Sequence, residues 1–415
     1  MIDKSVFECL TERIDSYKQA MVEMQISLTA IPALSPENGG DGEYEKSRFL
    51  LSCLRRLGFP AVGELNAPDP RVSSGVRPNL IVTLSGKDKK KTIWILTHMD
   101  IVPPGEIKLW SQPPYKGYVR DEKIFGRGTE DNQQDLVASI FAAKAFLAEG
   151  VTPEVNIGLA FVSDEETASQ YGLPYLLKNE KNPFLKSDLI VVPDSGDENG
   201  TMIEVAEKSL LWLRIKTTGK QCHGSRPSQG NNAFLAASHL VVRLNELHQI
   251  FDDADLLYDS PSSTFQPTKK EANVPNINTI PGEDSFYMDC RVLPRYPLKN
   301  VLAEIRKIAD QIESRFAVAI ELTPIHQVQA PPPTPHDAPV VLALQEAISH
   351  VYHVQAVPAG VGAGTIAAFF RSDGYPAAVW CRTSQTAHQP DEYSIIANMM
   401  GNAKVYAYLF CANKK

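Results

Sequence analysis

The sequence predicts an α/β protein in which a mixed, largely parallel sheet is sandwiched by helices and a smaller β-α-β-β-α-β domain is inserted into the chain. Short apolar runs that end at once in polar residues alternate with helical segments over the first half of the chain. Runs that are apolar on both faces are typical of central strands in a helix-covered sheet. From about residue 205 the segments follow the order of a ferredoxin-like domain.

Three apolar runs predict the central strands of the large sheet, because each is the length of a strand and ends in polar side chains. They are residues 92–97 before His98, residues 156–162 before Ser163 and Asp164, and residues 188–193 before Asp194. A helix between the first two is predicted by apolar residues at steps of four, three and four, namely Leu136, Ile140, Ala143 and Leu147. Alternating strands and helices predict many parallel neighbours.

The inserted domain is predicted from four strand-like and two helical segments. The strands are expected at 207–217, 276–280, 285–293 and 317–324, and the helices at 232–250 and 298–316. A proline-rich stretch at 330–335 then predicts a stiff linker. We therefore expect the first part of the larger domain at 1–204, the inserted domain at 205–326 and the second part of the larger domain at 327–415.

Charge and composition exclude several classes of protein. The formal net charge is −8, from 41 Lys and Arg against 49 Asp and Glu. Such an acidic chain is not expected to bind nucleic acid, because binding to phosphates needs a basic surface. The apolar runs fall far short of the roughly 20 residues that a membrane-spanning helix requires, and the first eight residues lack the pattern of a signal peptide. We expect a cytoplasmic protein without a membrane partner.

The six cysteines are scattered and form no closely spaced pair. A disulfide scaffold would be short and dense in cysteine, so reduced thiols are the better interpretation. Zinc-finger sites need closely spaced Cys and His residues and are excluded as well. Any metal site in this chain must therefore be built from His, Asp and Glu.

Such side chains gather at one predicted edge of the large sheet. The carboxyl ends of its strands carry His98 with Asp100, Glu165 with Glu166, and Asp194, while Asp131 precedes a helix. Each has an ordinary alternative: a polar loop histidine, a solvated pair of glutamates, or a helix cap. Clustered carboxylates repel one another unless a cation joins them, however, and ligands bind at this edge of α/β sheets. Imidazole with carboxylate and no thiolate suits zinc or another divalent first-row ion.

Five motifs in this order resemble those of the co-catalytic di-zinc metallopeptidases, whose fold is zinc exopeptidase-like. That family includes succinyl-diaminopimelate desuccinylase, acetylornithine deacetylase, glutamate carboxypeptidase and carnosine-type dipeptidases. The motifs are Thr97-His98-Met99-Asp100, Gly126-Arg127-Gly128-Thr129-Glu130-Asp131, Asp164-Glu165-Glu166, Pro193-Asp194-Ser195 and the late His388. The resemblance extends from about Met21 to the C-terminus and includes the inserted domain.

The resemblance implies a role for each residue of the cluster. Asp131 would bridge two Zn²⁺ ions, with Co²⁺ or Mn²⁺ as possible substitutes. His98 and Asp194 would complete one ion, and Glu166 and His388 the other. Asp100 would accept a hydrogen bond from His98, and Glu165 would be the general base. Family members also have a cis peptide bond after the bridging aspartate, here between Asp131 and Asn132.

The resemblance also assigns residues outside this cluster. His223, which alone would be taken for a surface-loop histidine, matches a histidine that reaches a partner subunit's active site and stabilises the oxyanion. It implies a homodimer formed through the inserted domain. Asn278 and Arg291 match positions that hold the substrate carboxylate, although Arg291 could instead form a salt bridge within a strand. Gly364 and Thr365 belong to a glycine-rich segment, 360–365, that would lie beside the substrate.

The expected function is hydrolysis of the amide bond in a small N-acyl amino acid or a short peptide with a free carboxylate. Two departures from the family leave deacylase and exo- or dipeptidase both open: Asn132-Gln133-Gln134 stands where Lys-Gly is common, and residue 194 is Asp where several deacylases have Glu. The alternative is a non-catalytic descendant that binds an amino-acid-like ligand through Arg291 and Asn278. A serine nucleophile is disfavoured because the chain has no Gly-x-Ser-x-Gly motif.

Overall fold

The computed structural model describes residues 3–167, 169–362 and 364–411. Its helices are α1 Lys4–Ser16, α2 Lys18–Thr29, α3 Tyr44–Arg56, α4 Gln134–Glu149, α5 Leu173–Lys178, α6 Ala233–Leu244, α7 Leu247–Ile250, α8 Leu298–Phe316, α9 Pro339–Tyr352, α10 Ala367–Ser372 and α11 Ile396–Cys411. Its strands are β1 Val62–Glu64, β2 Ala67–Pro68, β3 Val76–Arg77, β4 Leu80–Leu84, β5 Asp88–His98, β6 Tyr118–Arg120, β7 Lys123–Phe125, β8 Val155–Val162, β9 Leu189–Asp197, β10 Met202–Glu207, β11 Ser209–Thr218, β12 Cys222–His223, β13 Thr264–Lys270, β14 Thr279–Ile280, β15 Glu283–Val292, β16 Ala319–Val328, β17 Val357–Val361, β18 Ala377–Arg382 and β19 Tyr393–Ile395.

The large sheet has eight strands in the order β1-β4-β8-β5-β9-β18-β10-β17. Its four central strands, β8, β5, β9 and β18, are parallel to one another. The antiparallel pairs β1–β4, β4–β8 and β10–β18 flank them. The predicted α/β class with a mixed, largely parallel sheet is therefore confirmed.

Helices cover this sheet because its central strands are apolar on both faces. Residues 93–98 of β5 are all buried, which no solvent-facing strand could sustain. On one face, Trp94, Leu96 and Val192 pack against Leu176 of α5 and Phe370 of α10. The helices α4, α9 and α11 also contact the sheet, and α4 is buried along most of its length. The central strand ends are thereby held at one rigid edge.

The inserted segment forms a second sheet, in the order β13-β15-β11-β16, with every neighbouring pair antiparallel. This is the strand order of a ferredoxin-like domain, and helices α6 and α8 pack their buried leucines and isoleucines on it. One predicted strand was wrong. The second strand of the sheet is β13, whereas the predicted segment at 276–280 contains β14, which pairs with β12. Strand β13 is hard to recognise in the sequence because it contains Pro267 beside a register shift, and proline argues against a strand.

The chain divides into two compact units. One comprises residues 1–205, 334–358 and 365–415, and the other residues 206–333 and 359–364. The chain passes from the first unit into the second after residue 205, next to the predicted boundary at 204. It returns to the first unit after residue 333, within the proline-rich stretch and later than the predicted boundary at 326. Strand β16 runs to Val328, beyond its expected end at 324. None of the described helices is long and apolar enough to cross a membrane.

Gly158 leaves room for a buried tryptophan. It pairs with Trp94 across β8 and β5, and a Cβ at this position would lie 2.3 Å from the indole ring. The ring cannot move aside easily, because its Nε1 donates to Asp188 at 2.9 Å and Phe184 packs edge-on against it.

We predict that Gly158→Ala lowers the free energy of unfolding by about 1–3 kcal/mol through overpacking. Gly63→Ala is the matched control, because its Cβ would meet nothing closer than 3.6 Å on the same sheet. Denaturant midpoints of both variants and the parent chain give the comparison. Equal midpoints for Gly158→Ala and the parent would contradict this account of the core.

Candidate metal centre

The structure brings the five predicted ligands together in two groups that share Asp131. One group is His98, Asp131 and Asp194, and the other is Asp131, Glu166 and His388. Within each group one ligand atom from every residue lies within 4.8 Å of the others. The parallel order β8, β5, β9 explains why His98, Glu166 and Asp194 meet, since the carboxyl ends of parallel neighbours lie at one edge. Asp131 comes from the turn before α4.

His98 presents its Nε2 to this cluster. Its Nδ1 lies 3.1 Å from the backbone carbonyl of Asp100, so in the neutral ring Nδ1 carries the proton and Nε2 carries the lone pair that a metal requires. Nε2 lies 2.9 Å from Asp131 Oδ1 and 3.4 Å from Asp194 Oδ1. Burial lowers the pKa of His98, but the hydrogen-bonding carboxylates of Asp100, Asp131 and Asp194 outweigh it and hold the pKa well above its ordinary value.

Asp100 anchors the turn that follows β8. Its carboxylate accepts the backbone N–H groups of Glu165 at 3.1 Å and Glu166 at 3.0 Å. The same carboxylate is 3.5 Å from His98 Nδ1, farther than the Asp100 carbonyl. The expected hydrogen bond from His98 therefore goes mainly to the backbone, and the Asp100 side chain positions the two glutamates.

Glu165 and Glu166 lie among other carboxylates, and the pKa of each is raised. Burial, reinforced by the charge of Asp131, raises the pKa of Glu166 to about 7. Burial, with the charge of Asp194 next, raises the pKa of Glu165 well above its usual range. Such crowding of like charges is relieved by a bound cation. The thiol-free set of imidazoles and carboxylates therefore fits divalent zinc, cobalt or manganese.

His388 belongs to a more open part of the cluster. Its side chain is 53% exposed, and its Nε2 lies 3.1 Å from Asp131 Oδ2 and 3.2 Å from Glu166 Oε2. Hydrogen bonds to Asp131 and Glu166 raise the pKa of His388 to about 10. The peptide bond between Asp131 and Asn132 is cis, as the resemblance implied.

Sequence analysis missed Glu392, which holds the loop that carries Asp131. Its buried carboxylate accepts the backbone N–H groups of Gly128 at 2.9 Å, Glu130 at 2.9 Å and Asp131 at 3.1 Å. It also accepts from the Arg127 guanidinium at 2.6 Å. The one sequence feature that could have pointed to Glu392 is its position four residues after His388. It belongs to no periodic pattern.

Two buried cations beneath the site were missed as well. Arg77 pairs with Glu43 and lies 3.6 Å from Asp164, the residue directly before Glu165. Lys46 is 1% exposed, and its ammonium has no hydrogen-bond partner among the described residues. Burial lowers the pKa of Lys46 to about 8, although the charge of Asp100 opposes that shift. Both cations partly offset the negative charge of the site.

His223 lies in the smaller unit, on the short strand β12. The backbone N–H of Ser225 donates to its Nδ1 at 3.1 Å, and the Ser225 hydroxyl lies 2.8 Å from the same atom. Because Nδ1 accepts, the proton of the neutral ring is on Nε2. His223 is exposed.

The side chains of Arg291, Asn278 and Thr365, which were predicted to contact the substrate, form hydrogen bonds within the protein. Arg291, on β15, donates to Asp289 at 2.7 and 3.0 Å and to the Gly362 carbonyl at 2.7 Å, so the alternative salt bridge is present. The Asn278 side chain accepts from Asn276 at 2.5 Å. Gly364 is exposed, and Thr365 Oγ1 accepts the Ala367 N–H at 3.2 Å. Ala363 lies outside the described residues, and the binding roles stay predictions.

The sequence profile of peptidase family M20/M25/M40 matches residues 94–412, a range that contains all five proposed ligands. The chain belongs to this family. It is therefore a metal-dependent hydrolase, and the resemblance to metallopeptidases and desuccinylases is confirmed.

Relatives and solved structures agree with this membership. A metallohydrolase of Methanococcus maripaludis, named as uncharacterized, is 39% identical over 409 residues, covering 93% of this chain and 97% of the relative. Succinyl-diaminopimelate desuccinylase of Delftia acidovorans is 25% identical over 301 residues, covering 72% and 75%. The crystal structure of aminopeptidase PepT from Bacillus cereus has a TM-score of 0.75 at 17% identity and covers 95% of this chain and 98% of its own. That identity shows a shared fold alone.

We predict that Asp100→Asn weakens Zn²⁺ binding about 10–100-fold, because an amide NH₂ would face one of the two backbone N–H groups that now fix Glu165 and Glu166. Asp88→Asn is the control, since Asp88 lies at the opposite end of β5, is exposed and accepts the N–H of Lys90 at 2.9 Å. Competition with a chromophoric chelator measures both affinities. If the Asp100→Asn variant binds Zn²⁺ as tightly as the control, Asp100 does not anchor the Glu165 and Glu166 backbone as proposed.

Proposed function

We propose that the chain hydrolyses the amide bond of a small N-acyl amino acid or short peptide with a free carboxylate, using two Zn²⁺ ions. The observation that carries this proposal is the pair of three-residue ligand groups sharing Asp131, with Glu165 directly before the ligand Glu166. Co²⁺ or Mn²⁺ suits the same ligands. The desuccinylase name of a relative and the peptidase family of the chain support both an N-acyl amino acid and a peptide as substrate classes.

Glu165 is the proposed proton carrier. The ions, when bound, would polarise the amide carbonyl and lower the pKa of a shared water towards roughly 7. Glu165 adjoins the proposed ligand Glu166 without belonging to either ligand group, and its carboxylate would accept a proton from that water and return it to the leaving amine. Asp100 keeps this carboxylate in place through the Glu165 backbone.

His223 is the proposed donor to the oxyanion. Its Nδ1 is occupied by Ser225, so its Nε2–H can stabilise negative charge that develops on the carbonyl oxygen. Following the family resemblance, we propose a homodimer in which each His223 serves the site of the second copy. Arg291 and Asn278 would hold the substrate carboxylate. Arg291 keeps guanidinium hydrogens beyond those used by Asp289 and Gly362, since it has five in total.

A hydrolysis panel tests the proposal. Succinylated, acetylated and other N-acyl amino acids, dipeptides and tripeptides are offered to the full chain with zinc, cobalt or manganese, and amine release is measured. We expect turnover of at least one class that carries a free carboxylate. Chelation should abolish this turnover, and added metal should restore it. No turnover in a metal-loaded chain would overturn the proposal in favour of a binding protein.

We predict that Glu165→Gln lowers kcat about 10²–10⁴-fold while metal content stays unchanged, because Gln cannot carry the proton and Glu165 is not a proposed ligand. Glu180→Gln, at an exposed position of the same unit, is the control and should behave like the parent chain. Metal content is read by elemental analysis and turnover on the best substrate of the panel. Full activity in Glu165→Gln would exclude it as the base.

His223→Ala should lower kcat about 10²–10³-fold with little change in metal content, because one oxyanion donor is lost. His326→Ala is the control: it lies on β16 of the same unit, where its ring packs near Trp212. Steady-state kinetics and sedimentation are measured for both. A fully active monomer, or unchanged kcat in His223→Ala, would contradict the proposed role.

A further inference from the structure

The loop that carries His388 is held by a residue from the loop of Asp131. Glu130 is 6% exposed, and its carboxylate accepts the backbone N–H groups of Ser384 and Thr386. The hydroxyl of Thr386 adds a third hydrogen bond at 2.8 Å. A residue next to the shared ligand Asp131 thus determines the path of the chain two to four residues before His388.

The reverse contact exists as well. Glu392, four residues after His388, accepts three backbone N–H groups from residues 128–131. Each ligand loop therefore contributes one buried carboxylate that satisfies the backbone of the other. The two loops are far apart in sequence, so these contacts set the relative position of Asp131 and His388.

His388 needs support from its loop, because its side chain is largely exposed and its backbone is strained. Its side chain is 53% exposed, and its backbone adopts a φ of 64°, a left-handed conformation that costs free energy for a residue other than glycine. Packing of the imidazole alone therefore does not fix the loop. The amides that donate to Glu130 lie four and two residues before this strained residue.

We propose that Glu130 is a positioning residue that holds His388 against Asp131 and Glu166. It thereby sets the metal affinity of the group Asp131, Glu166 and His388, an effect that rests on the proposed function. Glu130 itself belongs to neither ligand group, and its carboxylate faces Ser384 and Thr386. A glutamine at position 130 would present an NH₂ group to one of the two backbone N–H groups, so the loop would lose at least one anchor.

The first measurement uses metal-free protein, and its outcome is independent of the proposed function. Hydrogen exchange followed by mass spectrometry compares the full chain with its Glu130→Gln variant. We expect exchange in a peptide spanning 383–388 to become at least tenfold faster in the variant, with no change at 92–98. Unchanged protection at 383–388 would overturn the proposal.

The second measurement is a calorimetric Co²⁺ titration of both proteins. The ion bound by His98, Asp131 and Asp194 should keep its affinity within threefold, while the other site weakens about 10–100-fold in Glu130→Gln. Excess metal should restore the variant's kcat. Equal weakening at both sites would show a merely structural role and overturn the proposal. If the parent chain binds no metal while the exchange result holds, the proposed function fails and the anchoring of the loop stands.

Asp188→Asn is the matched control for loss of a buried carboxylate. Asp188 is 1% exposed and accepts the backbone N–H groups of Thr92 at 2.9 Å and Leu185 at 2.8 Å, away from both ligand loops. This variant should lower the unfolding temperature without changing exchange at 383–388 or either metal affinity. A change at 383–388 in Asp188→Asn equal to that in Glu130→Gln would also overturn the proposal.

Discussion

Mutual repulsion among carboxylates at one edge of the large sheet is the constraint on which the rest of the site depends. Burial and the charges of Asp194, Glu166 and Asp131 raise the pKa of Glu165, and burial with the charge of Asp131 raises the pKa of Glu166. Two unit charges about 4 Å apart interact by roughly 4 kcal/mol at an effective dielectric constant of about 20. Such an arrangement persists only where the fold holds the backbone rigidly and where cations offset the charge.

The fold meets both requirements with buried polar contacts. Asp100 fixes the backbone of Glu165 and Glu166, while Glu392 and Glu130 fix the loops of Asp131 and His388. Arg77, Arg127 and Lys46 add positive charge within the protein. Arg77 forms a direct ion pair with Glu43, and Arg127 forms one with Glu392. Lys46 has no hydrogen-bond partner among the described residues, so it acts on the nearby carboxylates only through its charge. The proposed metal ligands are thus positioned by residues that are not themselves proposed ligands.

Much of this could be predicted because strand ends are visible in a sequence. The apolar run before His98 and the one before Asp194 identify the parallel strands, and parallel strands deliver their ends to one edge. Strand β13 could not be identified in this way, since Pro267 and its register shift interrupt the alternation of residues. Glu392 and Glu130 were equally hidden. Their partners are backbone amides, which have no side-chain identity and leave no pattern in the sequence.

The sequence by itself determined the α/β class, the inserted β-α-β-β-α-β domain, the ligand types and the family, because each depends on local periodicity or on short motifs. Only the tertiary structure decided which atoms face one another. In it, His98 Nδ1 faces the Asp100 carbonyl, the Asp100 carboxylate accepts the Glu165 N–H, and Arg291 donates to Asp289. These choices follow from distances between segments remote in the chain, and such distances arise only when the core has packed.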